Sequence, residues 1–394
     1  INGRYHDLKA NISSVMEKDY YGSLLGGLFF AFIGLPYLGL TYTPFLLGTI
    51  NLIVAILLFF NFSDRLDERL KKWLLGAIIF ISLSIGLGVY FAKPIIMFGE
   101  QSRYSDKVVF SEQTKYQKIT LTKSKHNYIL YLNNSMQLNT MDEWLYHEPL
   151  VHVPMLLNSG KKNILILGGG DGCAIREVLK YQEVESVKII DLDPGMTNFG
   201  AQNAIFKELN RGAYQNSKVT VQNGDAFIAL EDDSSYYDLI IIDFPDPRSI
   251  ELSRLYTKEM YRFCKKRLKQ DGVIITQATS PYYQAKSFYC INKTMEAAGL
   301  NTLQIHNHVQ SFGEWGWIVG SQLYDKNQMI EKLSSIKELP VKNTKWLNTE
   351  ALQMMCKFGK TVGDTSGIEV NSIHNPVLFK YYIKGTAFNQ SFYD

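Results

Sequence analysis

The stretch NILILGGGDGCAIREVLKYQEVESVKIIDLD, from Asn163 to Asp193, decides the fold. Ile164 to Leu167 form a short apolar run of the kind buried on both faces of a parallel sheet. Gly168, Gly169, Gly170 and Gly172 follow, then a helical pattern from Ala174 to Lys180. A second, mostly apolar run, Val187 to Ile190, ends in Asp191 and Asp193. Strand, glycine turn, helix, strand and acid make the opening unit of a doubly wound, nucleotide-binding α/β sheet. Glycine serves because the backbone turns sharply and a ligand must approach it without a Cβ in the way. An acid ending the second strand is placed to accept hydrogen bonds from the two hydroxyls of a ribose.

The turn departs from the dinucleotide fingerprint. Cys173 stands where a third glycine would follow Gly168 and Gly170, and a phosphate gains nothing from the carboxylate of Asp171. An acid there suits a cation, which favours an adenosyl-sulfonium ligand over NAD.

The other strand ends carry acids too. KVTVQNGDA, Lys218 to Ala226, reads as a third strand ending at Gly224-Asp225, and YDLIIID, Tyr237 to Asp243, as a fourth running into FPDPRS. A helix over Thr257–Lys269 precedes a fifth strand, Gly272 to Gln277, and a helix over Tyr282–Ala298 precedes strands near Thr302–Val309 and Trp315–Gly320. Alternating strands and helices mean a right-handed α/β sandwich. Ligands bind at the carboxyl ends of such strands, where Asp171, Asp191, Asp193, Asp225, Asp243 and Asp246 gather. Six carboxylates around one crevice are costly unless a cation neutralises them. With no His-rich set beside them, the reading is an organic polycation and a sulfonium, with no metal.

Upstream the chain changes character. Gly22–Leu40, Tyr42–Phe60 and Trp73–Phe91 are nearly uncharged, interrupted by SDRLDERLKK at Ser63–Lys72. Each approaches the roughly 20 apolar residues that a bilayer core demands, without an amphipathic face. The basic residues of Ser63–Lys72 favour a cytoplasmic loop, whereas an adenosyl-ligand domain belongs in the cytosol. The second argument is preferred, giving a multi-pass inner-membrane protein with a cytoplasmic catalytic domain. Val108–Asn139 alternates in a β-hairpin pattern, and Asp142–Leu157 reads as a helix. The net charge of +3 implies no nucleic-acid partner, and four scattered cysteines read as reduced thiols. The chain begins at Ile1, as a piece of a longer protein would.

GGGDG with REVLK and DLD resembles the polyamine aminopropyltransferases, the spermidine synthase family, over roughly Val108 to Gly320. The resemblance implies a Rossmann-like, methyltransferase-type sheet with an N-terminal β-hairpin subdomain, here preceded by transmembrane helices as in an integral-membrane bacterial branch. The expected division is 1–21 polar, 22–93 membrane, 104–142 hairpin, 143–323 catalytic and 324–394 tail. It also implies decarboxylated S-adenosylmethionine as co-substrate, a polyamine substrate, and a homodimer or higher homo-oligomer through the hairpin. By the same resemblance Gln117 lies near the cofactor and Gln137 in the substrate pocket. DEWLYHE supplies Tyr146 and His147, with Glu148 beside them. Gly168 and Gly170 shape the cofactor turn, Asp171 binds the aminopropyl amine, Asp191 the ribose, and Asp225-Ala226 the adenine. Asp243, helped by Tyr146, is the proposed base, Asp246 grips the acceptor amine, and Gln277 fits a pocket position. The family's PTYPSG segment is replaced by VQSFGEWGW at Val309–Trp317, without the tyrosine that lines the amine pocket. Two other readings stay open at this point: a methyltransferase using intact S-adenosylmethionine, and a membrane polyamine sensor or transporter.

Overall fold

The computed structural model describes residues 8–359 and 367–390. Its contacts divide the chain into two units, Ile1–Val108 and Val109–Asp394.

The first unit is helical: α1 (Leu8–Phe29), which runs through a π-helical stretch at Phe30–Leu38, α2 (Gly39–Phe62) and α3 (Glu68–Gln101). The sequence joins its first two apolar segments at Thr41–Thr43, whereas the break falls at Gly39, where φ is +65° and Leu38 ends the π turn. Asp67 caps α3, accepting from the Leu70 N–H at 2.7 Å. By length and composition three helices suit a bilayer crossing: Ile12–Leu38, Thr41–Arg65 and Glu68–Gln101. Large apolar side chains such as Leu57, Phe60, Phe80 and Leu83 are exposed on them.

The second unit opens with a four-stranded sheet, β1 (Lys107–Gln113), β2 (Lys118–Ser124), β3 (Asn127–Leu132) and β4 (Ser135–Asn139), in sequential order. The expected hairpin is therefore half of a meander. Ile119, Leu121, Leu130 and Leu138 fill its inner face against Phe199 and Phe206.

Then comes the large sheet. Its strands are β5 (Asn163–Gly168), β6 (Ser186–Asp191), β7 (Val219–Asn223), β8 (Tyr237–Asp243), β9 (Leu268–Gln277), β10 (Asn301–Val309) and β11 (Gly313–Ser321). They lie in the order β10-β11-β9-β8-β5-β6-β7. β5 to β9 are parallel, and β11 lies between β10 and β9, antiparallel to both. The chain winds outward from β5 through β7, then returns to β8, so the switch point falls between β5 and β8.

Alternation along the strands builds two cores. Ile164, Ile166, Leu239, Ile241 and Ile275 face the layer of α4 (Trp144–Leu157), α5 (Cys173–Val178), α12 (Lys326–Ser334) and α13 (Thr349–Met355). Leu165, Leu167, Ile240, Ile242 and Ile274 face the layer of α8 (Ala226–Asp232), α10 (Lys258–Arg267), α11 (Ala285–Ala297) and α14 (Val377–Gln390). The remaining short helices are α6 (Pro194–Gln202), α7 (Ala204–Leu209) and α9 (Ile250–Arg254). The segment read as a tail after residue 323 thus supplies packing to both faces: Leu333, Leu352 and Met355 to one, Val377 and Leu378 to the other.

Candidate active site

The glycine turn sits beside the end of β8 because Gly168 pairs with Asp243 in the β5–β8 register. Gly168, Gly169 and Gly172 hold φ of +79°, +68° and +83°, the left-handed region that a side chain disfavours. A Cβ on Gly169 would stand 3.2 Å from Asp243 Oδ2, and one on Gly170 would meet Met196 at 2.7 Å and Asp191 Oδ2 at 2.9 Å. Tyr214 donates its hydroxyl to the Gly170 carbonyl at 2.8 Å and Asn210 its amide to the Asp171 carbonyl at 2.9 Å, so the turn is held from behind.

One ligating atom each of His147, Asp171 and Asp243 lie within 4.8 Å of one another at this turn. The Tyr146 hydroxyl donates to Asp243 Oδ1 at 2.6 Å. Burial pushes the Asp243 carboxyl up to about 6; the His147 charge and the Tyr146 hydrogen bond oppose the rise, and Asp171 adds to it. Burial, and then Asp243, drive the Tyr146 phenol far above its ordinary value, so it keeps its proton. Trp317 and Trp315 wall its ring, with centroids 5.4 and 6.4 Å away.

His147 is fixed from the other side. Its Nδ1 lies 2.9 Å from both the carbonyl oxygen and Oε2 of Glu143, and its Nε2 lies 3.8 Å from Asp171 Oδ1. Arg176 grips Glu143 with both terminal nitrogens, at 3.0 and 2.8 Å. Burial alone would favour the neutral ring, but the Glu143 hydrogen bond and the charges of Asp171, Glu143 and Asp243 carry His147 up to about 9. Against the effect of burial, His147 and Arg176 hold Glu143 down at about 2. His147 is therefore a cation at neutral pH. Sequence reasoning missed the Glu143–Arg176 pair, although Glu143 precedes His147 by one helical turn, the spacing at which side chains meet.

The other expected residues are placed as follows. Asp191 ends β6 with Oδ1 accepting from the Asp193 N–H at 2.9 Å, and burial pushes its carboxyl up to about 6. Gln117 donates to Asp193 Oδ2 at 2.9 Å, where Thr114 also donates at 2.8 Å, so it fastens the small sheet to the end of β6. Asp225 caps α8 through the Phe227 N–H at 2.8 Å and pairs with Arg254, whose guanidinium covers the Phe227 ring at 4.7 Å. Ala226 is buried beside it. Asp246 Oδ2 accepts from the Tyr382 hydroxyl at 2.8 Å and lies 3.4 Å from Arg248 Nη2.

Three more residues are defined by their hydrogen bonds. Gln277 is buried, with its amide nitrogen on the Phe244 carbonyl at 2.9 Å, Tyr256 Oη at 2.6 Å and Asp246 Oδ1 at 3.3 Å; it holds Asp246 in place. Gln137 donates within its own strand, to the Ser135 carbonyl at 3.4 Å, and among the described residues has no bond to the carboxylate cluster. Glu148 turns away from its neighbour His147 to accept the N–H groups of Lys345, Trp346 and Leu347 at 2.5, 3.0 and 2.8 Å. Tyr382 went unforeseen, since 136 residues separate it from Asp246 and no local pattern marks it.

With His147 charged, Asp171 and Asp243 still leave a negative hollow that an incoming cation relieves. Fold and site together define a doubly wound α/β protein with an acidic cluster at its switch point. A family model, the spermine/spermidine synthase domain, matches residues 143–331. The chain is 37% identical over 381 residues to a polyamine aminopropyltransferase of Oceanobacillus iheyensis, covering 96% of this chain and 72% of that one. It is 36% identical over 374 residues to one of Leptospira interrogans, covering 95% and 73%. A crystal structure of spermidine synthase in complex with the transition-state analogue AdoDATO superposes with a TM-score of 0.59 at 25% identity, over 64% of this chain and 85% of that chain. The spermidine synthase of Thermotoga maritima shares the fold, with a TM-score of 0.58 at 24% identity over 66% of this chain and 88% of that one. The chain belongs to the polyamine aminopropyltransferases, the spermidine synthase family.

Proposed function

We propose that this chain transfers the aminopropyl group of decarboxylated S-adenosylmethionine to a polyamine acceptor, putrescine giving spermidine, with release of methylthioadenosine. The observation that carries the reading is the hollow formed by Asp171, His147 and the Tyr146-bonded Asp243 beside the glycine turn. Asp171 and Asp243 supply negative charge where a sulfonium and two amines must converge. Asp191, Asp225 and Ala226 stand where the ribose and adenine would be held, and Gly168 and Gly170 leave room for the cofactor to approach.

The acceptor amine attacks the methylene carbon, the carbon–sulfur bond breaks, and its electron pair goes to sulfur. The nitrogen must first lose a proton, and Asp243 accepts it. At about 6, that carboxyl is mostly ionised at pH 7 and only about a unit below it, close to the value a general base needs. Tyr146 orients it. His147 keeps Asp171 and Asp243 from repelling one another, and Asp246 holds the far amine. Positioning supplies much of the rate, because a single displacement forms no covalent enzyme intermediate. The leaving group is a neutral thioether, so the step needs no metal.

The three apolar helices, with Leu57, Phe60, Phe80 and Leu83 turned outward, support a bilayer partner and an integral-membrane branch of the family. The catalytic unit then faces the cytoplasm, where the sulfonium is made, and the small sheet pairs the chain as a homodimer or higher homo-oligomer.

A binding experiment tests the reading. The Asp171 carboxylate would face the methionine carboxylate of intact S-adenosylmethionine, so the decarboxylated form should bind at least tenfold tighter in calorimetric titration of the full chain. Equal affinity for both would overturn it.

A further inference from the structure

One edge of the large sheet is β10, and it carries a donor set that the transfer reaction does not use. The strand contains His306-Asn307-His308, and the two-residue period of a strand puts both imidazoles on one face. β11 runs antiparallel beside it, with Glu314 directly opposite His308 and Gly316 opposite His306. Glu314 therefore faces both rings across the ladder, on the side of the sheet away from Trp315 and Trp317.

His306 is already set as a ligand. Its Nε2 lies 3.0 Å from the Lys357 carbonyl, an oxygen that can only accept, so this nitrogen carries a proton. That leaves Nδ1 to offer a lone pair toward Glu314, whose Oε1 is 3.5 Å away. Nδ1 of His306 and Oε2 of Glu314 are both closed off from solvent and make no hydrogen bond among the described residues. A backbone carbonyl on the far nitrogen is the usual outer support of a metal-bound imidazole, because it fixes the tautomer and the ring plane. Phe358 and Tyr282 hold that plane, with centroids 4.4 and 5.8 Å from the His306 ring.

The spacing suits an ion. Two ligands about 2.0–2.1 Å from zinc at a tetrahedral angle stand about 3.4 Å apart, close to the observed gap between His306 Nδ1 and Glu314 Oε1. His308 Nδ1 lies 4.0 Å from Glu314 Oε2, and its side chain, 66% exposed, has room to turn onto the same ion.

We infer that His306, His308 and Glu314 form a Zn²⁺ site. Imidazole beside carboxylate selects zinc over Mg²⁺ or Ca²⁺, which take oxygen ligands. Three protein ligands leave the fourth position to water. The ion clips β10 to β11 and, through the Lys357 carbonyl, steadies the segment that follows α13. It takes no part in the transfer, although the other face of the same hairpin carries the Trp315 and Trp317 wall of Tyr146.

The test is a titration of the full chain with ZnCl₂ after chelator treatment and dialysis, read by calorimetry and by thermal unfolding. The native chain should bind one Zn²⁺ at this site and unfold at a higher temperature with it, whereas MgCl₂ should give neither signal. His308→Ala removes an exposed side chain, and Glu314→Gln keeps the shape of the acid. Each should weaken zinc binding at least about tenfold, the lower bound for losing even an outer support of a metal ligand, and remove the thermal shift. The acids of the active site offer a competing place for the metal, so Asp171→Asn is titrated beside them, and its zinc affinity should match the native one. No zinc binding by the native chain overturns the inference. So does an affinity that His308→Ala leaves unmoved, or one that is lost in Asp171→Asn. Should Glu314→Gln not fold, His308→Ala decides alone.

Discussion

Tyr146 and Asp243, 97 residues apart in the chain, share a hydrogen bond of 2.6 Å in which the phenol donates to the carboxylate. The pair joins α4, which precedes the large sheet, to the end of β8 at the sheet's centre. It places a half-buried carboxylate, pushed up to about 6, beside the glycine turn.

If Asp243 removes the acceptor proton, Asp243→Asn should lower kcat by roughly 10²–10⁴-fold, the usual contribution of a positioned base. Methylthioadenosine affinity should not change, because the ribose and adenine are assigned to other residues. Rapid-quench turnover and a binding titration on the same preparation check both halves. Near-normal kcat would remove Asp243 from the role.

The Tyr146 hydrogen bond lowers the Asp243 pKa against the effect of burial, so removing it should raise that pKa further. The base works only when ionised. The acidic limb of kcat/KM, expected near pH 6 in the native enzyme, should therefore move to higher pH in Tyr146→Phe. A pH–rate profile between pH 5 and 8 reads the shift, and a limb that stays in place would show that the phenol does not act on Asp243.

His147 should leave its mark on stability. Its folded value of about 9 lies above the ordinary 6.5, so its contribution is fully present below about pH 6.5 and is lost as pH rises through 9. Thermal unfolding midpoints measured from pH 6 to 10 should fall across that window. Glu143→Gln removes the charged partner of His147 Nδ1 and should flatten the fall while lowering the plateau. An equally steep profile in the variant would mean that Glu143 does not support the cation.

Much of the fold was legible because its signals are local. Ile164–Leu167 and Tyr237–Asp243 are apolar runs with turn residues at their ends, and the glycines of the first turn can be read without knowing what surrounds them. The position of β11 between β10 and β9 was not legible, because strand order within a sheet is set by pairing rather than by composition. The acids at the strand ends were found for the same local reason. The orientation of a polar side chain is another matter: Gln277 faces Phe244, Tyr256 and Asp246 because the β8 loop folds back over it. Tyr382 escapes sequence reading altogether, since its place depends on Asn371 fastening the C-terminal segment to three helices far away in the chain.

The central claim is the identity of the group transferred, and product analysis tests it most directly. The full chain is incubated with putrescine and either decarboxylated or intact S-adenosylmethionine, and both products are quantified by mass spectrometry. The account predicts equimolar spermidine and methylthioadenosine from the decarboxylated form and no product from the intact one. A methylated amine with S-adenosylhomocysteine from the intact form would contradict it.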